Sequence, residues 1–473
     1  MNTSFFGELL QTISERGRSL LDRARERRDS PAETTENLAD LCEELLSNRG
    51  EASGVALARE ILARYADLTI GPRIAFFEAL ATRFGADRAR IETAMEAWQT
   101  KPSDVAVAEL HAATEPRRLE LLRRLNLAPQ GTSALVEMRG QLIDTLARRD
   151  DLTTVDTDFT HLFSSWFNRG FLVLRRIDWS TPAVILEKII RYEAVHQIRD
   201  WVDLRARIDS PDRCCYAFFH PALVDEPLIF VEVALTRDIP GAISPILEIK
   251  REPLDPERAN TAVFYSISNC QRGLAGVTFG SFLIKQVVAE ISREMPRLST
   301  FVTLSPVPNF AGWLARQRTQ PSPTLAEADR AALAGLDQTD WWNDATALDD
   351  MRDAMLRAAA TYFMTARNAG GSPLDAVARF HLGNGARLER LNWPADLSDR
   401  GRRQSYGLMV NYLYDLGDIE KNHEAYADNR TIIATNTIRK LARPSRALAA
   451  IEVASYVESF VGEAKRSPST PAN

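Results

Sequence analysis

The chain has 473 residues, of which 45% are hydrophobic and 26% are charged, as in an ordinary globular protein with a sizeable core. Its 58 basic and 64 acidic residues give a formal net charge of -6, so no basic excess is available to bind a nucleic-acid backbone. No apolar run is long enough to span a bilayer, and the four cysteines form no C-x-x-C pair that would predict a zinc site. We therefore expect a cytoplasmic protein that contacts neither nucleic acid nor membrane.

Residues 1 to about 150 have the pattern of consecutive helices. Apolar residues recur at intervals of three and four positions, as at Leu57, Ile61 and Leu62, and glycine or proline separates the runs, as at Gly71-Pro72. This part of the sequence contains neither strand-like alternation nor a polar cluster that would indicate a catalytic site. We expect an all-helical domain over residues 1–155 that packs or oligomerises. A domain that binds another protein is the alternative.

The pattern changes near Phe159, where short runs rich in β-branched and aromatic residues begin. Predicted strands lie at 171–174, 215–219, 228–234, 262–267, 301–304, 387–393 and 408–412. A helix is predicted over about 283–291, an alanine-rich helical insertion over about 324–368, and a final helix over about 445–464. These elements predict a mixed α/β domain over residues 156–465, and the fold class of the whole chain is α+β.

Residues 262–289 contain the first segment with a recognisable chemistry. A strand ends near Ser268, and a turn rich in glycine, alanine and serine then opens an amphipathic helix. Free amides in the first turn of a helix favour negative charge, and glycine lets a phosphate approach the backbone closely. The segment has neither the Gly-Lys-Ser/Thr of a P-loop nor a dinucleotide fingerprint. It suits the pyrophosphate of a nucleotide-like cofactor, although such turns also occur as plain connections.

Ser305 is the second candidate, because it stands where the short apolar strand 301–304 ends and two prolines follow within three residues. Reactive side chains collect at strand ends in α/β folds. No G-x-S-x-G motif surrounds Ser305, so a nucleophile of the hydrolase type is not expected. A serine that caps a helix or stabilises a turn is the alternative.

His381 is the third candidate. Ser372-Pro373 is predicted to open a helix and Asn384-Gly385 to close it, which places His381 in the last turn. The helix dipole favours the protonated imidazolium there, and that form suits a proton donor. A buried core histidine is the alternative. The remaining histidines show no H-x-x-x-H or H-E-x-x-H pattern, so a metal site is not expected.

These three segments, in this order, resemble the malonyl-CoA decarboxylase family. Further matching segments lie at 264–268, 280–285, 304–308, 384–386, 390–393 and 407–412. The resemblance covers the second domain almost throughout and the helical part only in general character. It implies a helical oligomerisation domain followed by a GNAT-like catalytic domain, with malonyl-CoA as substrate and acetyl-CoA as product. We expect a homodimer or a homotetramer.

The resemblance also implies roles for individual residues. The family's catalytic serine maps onto Ser305, its histidine onto His381, and a tyrosine beside the site onto Tyr414. The predicted substrate-binding residues are those of the family's CoA loop together with a serine of the preceding strand: Ala275, Gly276, Val277, Thr278, Phe279, Gly280, Ser281 and Ser266. Thr278 stands where the eukaryotic pattern has a glutamate, so no role for a loop carboxylate is carried over.

The expected reaction needs no cofactor. Loss of CO2 from malonyl-CoA leaves an enolate of the acetyl thioester, and the thioester is itself the electron sink. We expect Ser305 to bind the substrate carboxylate or to shuttle a proton, His381 to protonate the carbanion carbon, and Tyr414 to support His381. Two other functions are compatible with the same features: a GNAT-type acyltransferase that uses an acyl-CoA, and a non-catalytic sensor of CoA esters.

Overall fold

Helical and strand-forming segments separate along the chain. The computed structural model describes residues 31–47, 50–277, 282–319 and 324–443. The chain divides into two compact units. The first comprises Met1–Val173, Phe218–Ile229 and Asn269–Phe279, and the second comprises Leu174–Ala217, Phe230–Ser268 and Gly280–Asn473.

The first unit is built from helices with apolar inner faces. They are α1 (Pro31–Leu46), α2 (Glu51–Ala66), α3 (Ile70–Thr82), α4 (Arg88–Thr100), α5 (Asp104–Thr114), α6 (Arg117–Asn126), α7 (Gly131–Leu146) and α8 (Thr153–Trp166), with short 3-10 turns at Asp150–Leu152, Arg169–Phe171 and Arg272–Leu274. Ile61, Phe76 and Phe77 are fully buried between the helices. Side-chain caps fix two helix starts, since Asp87 accepts from the amides of α4 and Ser103 from an amide of α5.

The second unit combines helices with most of the strands. Its helices are α9 (Ala183–Tyr192), α10 (Trp201–Ile208), α11 (Ser244–Leu247), α12 (Phe282–Glu294), α13 (Phe310–Thr319), α14 (Glu327–Ala332), α15 (Ala345–Thr365), α16 (Ala376–Gly383), α17 (Asp399–Ser405), α18 (Ile419–Asn429) and α19 (Asn436–Leu441). The strands are β1 (Val173–Ile177), β2 (Arg213–Phe219), β3 (Pro227–Thr236), β4 (Thr261–Asn269), β5 (Thr300–Thr303), β6 (Ser305–Pro306), β7 (Arg387–Asn392) and β8 (Met409–Leu413). Among the described helices, none is both long and apolar enough to cross a lipid bilayer.

The described strands form one mixed sheet of order β1-β2-β3-β4-β5-β8-β6, with β7 paired on β8. β4 and β5 are parallel, and their last pair is Phe264 with Thr303. Beyond that pair β4 continues to Asn269, whereas the chain after Thr303 pairs with β8, where Ser305 lies opposite Val410. β8 therefore runs beside both β5 and β6, which brings its side chains close to Thr303 and Ser305.

The predicted fold class, a helical N-terminal part followed by a mixed α/β part, is confirmed. All seven predicted strands are observed with small shifts of their ends, and the insertion over 324–368 contains α14 and α15. The helices of the second unit that were not predicted are α9, α10, α11, α13, α17, α18 and α19. The helix predicted over 445–464 lies outside the described residues. The domain limits 1–155 and 156–465 stay a prediction.

Candidate active site

His381 lies in the last turn of α16. The helix begins at Ala376, and the carboxylate of Asp375 accepts a hydrogen bond of 2.8 Å from the amide of Ala378. The predicted start at Ser372-Pro373 is therefore wrong, because Asp375 is the capping residue. After the helix, Gly385 has φ +83 and a Cβ there would lie 2.0 Å from the carbonyl oxygen of Ile419. Only glycine fits this turn, which fixes the end of the helix.

The imidazole of His381 lies between two hydroxyl groups. Its Nε2 is 3.2 Å from Oγ of Ser305, and its Nδ1 is 2.7 Å from the hydroxyl oxygen of Tyr414. The ring stacks on Tyr412, with 4.6 Å between ring centroids and 25° between planes. The structure thus brings together the three residues predicted to be catalytic, and both ring nitrogens have a partner.

Thr303 extends this arrangement at the serine end. Oγ of Ser305 lies 2.9 Å from Oγ1 of Thr303, which also accepts a hydrogen bond of 3.2 Å from the amide of Tyr412. The side-chain amide of Asn411 donates to the carbonyl oxygen of Thr303 at 2.8 Å. Ser305 is 6% exposed and lies in a strand, so it is not a helix cap. We call Thr303, Ser305, His381 and Tyr414 the His381 cluster.

The hydrogen-bond directions in the His381 cluster follow from its serine end. The hydroxyl of Ser305 donates to Oγ1 of Thr303. The oxygen of Ser305 then accepts the Nε2 proton of His381, and Nδ1 accepts the hydroxyl proton of Tyr414. In this arrangement each ring nitrogen of the neutral imidazole has a partner of the matching kind.

Burial controls the charge of the His381 cluster. His381 is 2% exposed, and loss of hydration lowers its pKa to about 3. The expectation of a protonated imidazolium is wrong for the isolated chain, because α16 has only 8 residues and its dipole does not offset the loss of hydration. Burial likewise raises the pKa of the Tyr414 hydroxyl far above its ordinary value. At neutral pH the His381 cluster is uncharged.

Ser266, which was predicted to bind substrate, lies in a different buried cluster. Its hydroxyl donates to the two carboxylate oxygens of Glu193 at 2.9 and 2.8 Å, and it is 1% exposed. Ser268 adds a contact of 3.2 Å to the same carboxylate, which also accepts from the amides of Val195 and His196 at 2.8 and 2.6 Å. The hydroxyl of Ser266 is thus directed at Glu193, and its role towards substrate stays a prediction.

A group of buried ionisable residues, not predicted from the sequence, lies in the same unit. Arg207 donates to Asp203 at 3.0 Å and to Glu232 at 3.2 Å. Glu232 is fully buried, and loss of hydration together with the nearby charge of Glu193 raises its pKa to about 8. We call Glu193, Asp203, Arg207 and Glu232 the carboxylate cluster. No sequence motif marks it, because its members come from two elements, α10 and β3, and from the turn before α10.

The predicted CoA loop is described only in its first part. The 3-10 turn Arg272–Leu274 is followed by Gly276, whose φ of +77 suits glycine. Ala275 and Gly276 are exposed, and Val277 is buried. The other predicted loop residues, Thr278, Phe279, Gly280 and Ser281, lie outside the described residues. The carbonyl oxygens of Gly273 and Ala275 accept hydrogen bonds from Arg139, a residue that the sequence pattern did not single out.

Within the described part of the chain, no three His, Cys, Asp or Glu side chains are grouped so that they would hold a metal ion. The four cysteines, Cys42, Cys214, Cys215 and Cys270, are buried and form no disulfide. His220 contacts the carbonyl oxygen of Trp166 at 3.1 Å, so its ring is occupied by a structural hydrogen bond.

Comparison with known proteins agrees with this fold. The family model described as the malonyl-CoA decarboxylase C-terminal domain matches residues 170–451, and that of the N-terminal domain matches residues 84–167. The mitochondrial malonyl-CoA decarboxylase of Anser anser anser is 34% identical over 413 residues, which cover 80% of this chain and 82% of the relative.

Solved structures extend the comparison. The malonyl-CoA decarboxylase of Rhodopseudomonas palustris is 59% identical, with a TM-score of 0.84 over 86% of this chain and 99% of that one. The enzyme of Agrobacterium vitis is 54% identical, with a TM-score of 0.82 over 86% of this chain and 100% of that one. The fold and its matches define the class of protein: an enzyme, and specifically a carboxy-lyase. Within that class, the chain belongs to the malonyl-CoA decarboxylase family.

Proposed function

We propose that this chain converts malonyl-CoA into acetyl-CoA and CO2 through a thioester enolate, without a metal or an organic cofactor. Membership of the family supports the substrate. The observation that carries the proposal is the position of the His381 imidazole, buried between the hydroxyls of Ser305 and Tyr414. This arrangement supplies hydrogen-bond donors and a path for one proton, which are the two things that the reaction requires.

The reaction breaks the bond between the carboxylate carbon and the α-carbon. The electron pair moves into the thioester, CO2 leaves, and negative charge develops on the thioester oxygen. Donors that meet this charge stabilise the transition state more than the ground state, and they act strongly where water is excluded. One proton then adds to the α-carbon and completes acetyl-CoA. The thioester accepts the electrons, so the balance requires no further reactant besides the proton.

In the proposed mechanism the substrate itself adjusts His381. Burial keeps the imidazole neutral in the free protein, with a pKa of about 3. A bound malonyl carboxylate near Ser305 adds a negative charge, which favours the imidazolium and raises this pKa. His381 then donates its proton to the α-carbon as CO2 leaves, and the positive charge disappears together with the carboxylate. Tyr414 holds the ring through Nδ1, and Ser305 binds the carboxylate through its hydroxyl.

The remaining assignments belong to the same proposal. Residues 275–281 would receive the pyrophosphate of CoA, and Ser266 would shape the substrate pocket through Glu193. Thr278 stands where the eukaryotic pattern has a carboxylate, so the proposal assigns no carboxylate to this loop. A helical domain over 1–155 that assembles a homodimer or a homotetramer, a catalytic domain over 156–465 and a cytoplasmic location complete the proposal.

The test is incubation of the purified chain with malonyl-CoA alone, followed by measurement of CO2 and acetyl-CoA. We expect the two products in equal amounts, and the same rate after treatment with a chelator. An acyltransferase would release no CO2 without an acceptor, and a sensor would bind the thioester without turnover. Either result would contradict the proposal. Acetyl-CoA, which lacks the carboxylate, is the matched substrate control and should give no CO2.

A further inference from the structure

Arg139, on helix α7 of the helical unit, is directed at the predicted CoA loop. It is 3% exposed, and its guanidinium donates to the carbonyl oxygens of Gly273 at 2.7 Å and Ala275 at 2.8 Å. The carboxylate of Asp156, on α8, accepts hydrogen bonds from Nε of Arg139 at 2.8 Å and from Nη2 at 3.3 Å, and it balances the charge. A planar guanidinium holds several acceptors in fixed directions, which a flexible ammonium does not.

The same stretch of the loop packs closely against α7. A Cβ at Gly273 would lie 1.8 Å from the carbonyl oxygen of Val136, so only glycine allows this approach. A Cβ at Gly140 would lie 3.5 Å from the amide nitrogen of Gly273, which is ordinary contact. Arg272 forms an ion pair with Asp144 of α7. Residues 272–275 are thus held to α7 by packing and by charge.

The hydrogen bonds of Arg139 also determine which way the loop amides face. In a trans peptide the N–H points opposite the C=O. The carbonyl of Ala275 accepts from Arg139, so the amide of Gly276 in the same peptide unit points away from that guanidinium. Gly276 is exposed and has φ +77. Exposed loop amides of this kind are donors that suit a phosphate oxygen.

We propose that Arg139 is a positioning residue for substrate binding. Through the carbonyl oxygens of Gly273 and Ala275 it fixes residues 272–277 in the conformation that receives the pyrophosphate of a CoA ester. This inference rests on the proposed function and adds to it, because it gives the helical unit a part in substrate affinity besides assembly. Arg139 touches the loop and not the reacting atoms, so it acts on binding of the nucleotide end alone.

Arg118 provides the matched control. It is 5% exposed, belongs to the same helical unit, and pairs with Asp158 at 2.5 Å. It also donates to a main-chain carbonyl, that of Leu80, at 3.3 Å. Arg118→Met therefore removes the same kind of buried ion pair as Arg139→Met, and none of its described hydrogen bonds involves the loop.

The experiment compares two substrates, malonyl-CoA and malonyl-pantetheine, which carries the same acyl thioester but no pyrophosphate. For Arg139→Met we expect the KM for malonyl-CoA to rise about tenfold or more, from the loss of hydrogen bonds to a charged group, with kcat within about twofold. The kcat/KM for malonyl-pantetheine should not change. Arg118→Met should leave both substrates unaffected at temperatures where circular dichroism shows a folded protein.

If Arg139→Met does not fold, Arg139→Lys is the second variant. Lysine keeps the positive charge, but its ammonium group cannot bind both carbonyl oxygens and Asp156 together. Equal losses on the two thioesters would indicate a purely structural role and overturn the inference, and so would an unchanged KM for malonyl-CoA. If the wild-type chain released no CO2 from either thioester, the proposed function would fail by itself. Calorimetric binding of CoA to the same variants would then still decide the role of Arg139.

Discussion

The His381 cluster and the carboxylate cluster are both buried in the second unit, but their polar groups are stabilised differently: by hydrogen bonds between neutral groups in the first and by ion pairs in the second. The His381 cluster contains three hydroxyls and a neutral imidazole, and every contact between its members joins uncharged groups. The carboxylate cluster is built on ion pairs around one guanidinium. At neutral pH the members of the His381 cluster carry no charge, whereas in the carboxylate cluster the charged guanidinium of Arg207 is balanced by the carboxylate of Asp203.

Arg207 shows the structural role of the carboxylate cluster, because its hydrogen bonds connect several elements of the second unit. Besides Asp203 and Glu232, it donates to the main-chain carbonyls of His196 at 2.8 Å and Gln197 at 3.1 Å. It thereby connects α10, β3 and the turn after α9. One oxygen of Glu232 has no hydrogen-bond partner in the described part of the chain, which fits a carboxyl whose pKa burial has raised. The carboxylate cluster therefore holds elements of the fold together, and the His381 cluster is free to serve the reaction.

The largest expected effect is on catalysis. His381→Asn removes the proposed general acid, and we expect kcat to fall by about 10²–10⁴-fold, the usual contribution of such a group. The melting temperature should change little, because asparagine keeps a polar side chain between Ser305 and Tyr414. Steady-state release of CO2 and thermal unfolding measure the two quantities. Near-normal turnover in His381→Asn would refute the proposed role.

Arg207→Met should show the reverse pattern. Removing one partner from a buried ion pair leaves the other charges uncompensated, which costs about 3–5 kcal/mol of unfolding free energy. The kcat of the folded fraction should stay within about twofold of the wild type, since the hydrogen bonds of Arg207 to described residues do not reach the His381 cluster. Urea unfolding and activity per folded molecule test this. A loss of kcat comparable to that of His381→Asn would contradict the proposal that the carboxylate cluster stabilises the fold and takes no part in the reaction.

A smaller effect is expected at Tyr414. Tyr414→Phe removes the hydrogen bond of 2.7 Å to Nδ1 of His381, which we expect to lower kcat roughly tenfold. Tyr412→Phe is the comparison, because the Tyr412 ring stacks on His381 but its buried hydroxyl has no hydrogen-bond partner among the described residues. That change should alter kcat by less than about twofold. Equal losses of kcat in the two variants would mean that ring packing, and not the hydrogen bond from Tyr414, fixes the orientation of the His381 imidazole.

Local sequence patterns predicted most strands and singled out Ser305 and His381, because these features depend on nearby residues; Tyr414 was added only by the family resemblance. β-branched runs marked the strands, and matching segments marked Ser305 and His381. Thr303 was missed, since a threonine in an apolar strand carries no signal of its own. It joins the cluster only because β8 places the amide of Tyr412 within 3.2 Å of its hydroxyl.

Long-range contacts account for the rest of what the sequence did not predict. Arg139 finds its acceptors more than a hundred positions away, and nothing in the α7 pattern indicates them. The capping role of Asp375 was hidden by Ser372-Pro373, which also fits a helix start. The charge of His381 was predicted from its place in a helix, whereas it is set by burial, which depends on how β8 and α16 pack in three dimensions.

The last comparison of the two clusters uses the dependence of stability on pH. The folded imidazole of His381 has a pKa of about 3 against an ordinary value of 6.5, so between these values the unfolded chain binds more protons. Stability should therefore fall as the pH falls through this window. His196, with a pKa lowered by burial to about 4, acts in the same direction. Glu232 and Asp375, whose pKa values burial raises to about 8 and about 6, act in the opposite direction because their folded forms hold the proton.

The difference in unfolding free energy between the wild type and His381→Asn isolates the contribution of the imidazole. His196, Glu232 and Asp375 contribute to both proteins and cancel in this difference. We expect the difference between the two unfolding free energies to move in favour of the variant as the pH is lowered from about 7 to about 5. Urea unfolding at each pH measures it. A difference that stayed constant over this range would mean that the folded protein protonates His381 as readily as the unfolded chain does. The His381 cluster would then be charged in the free protein, and the contrast with the carboxylate cluster would be lost.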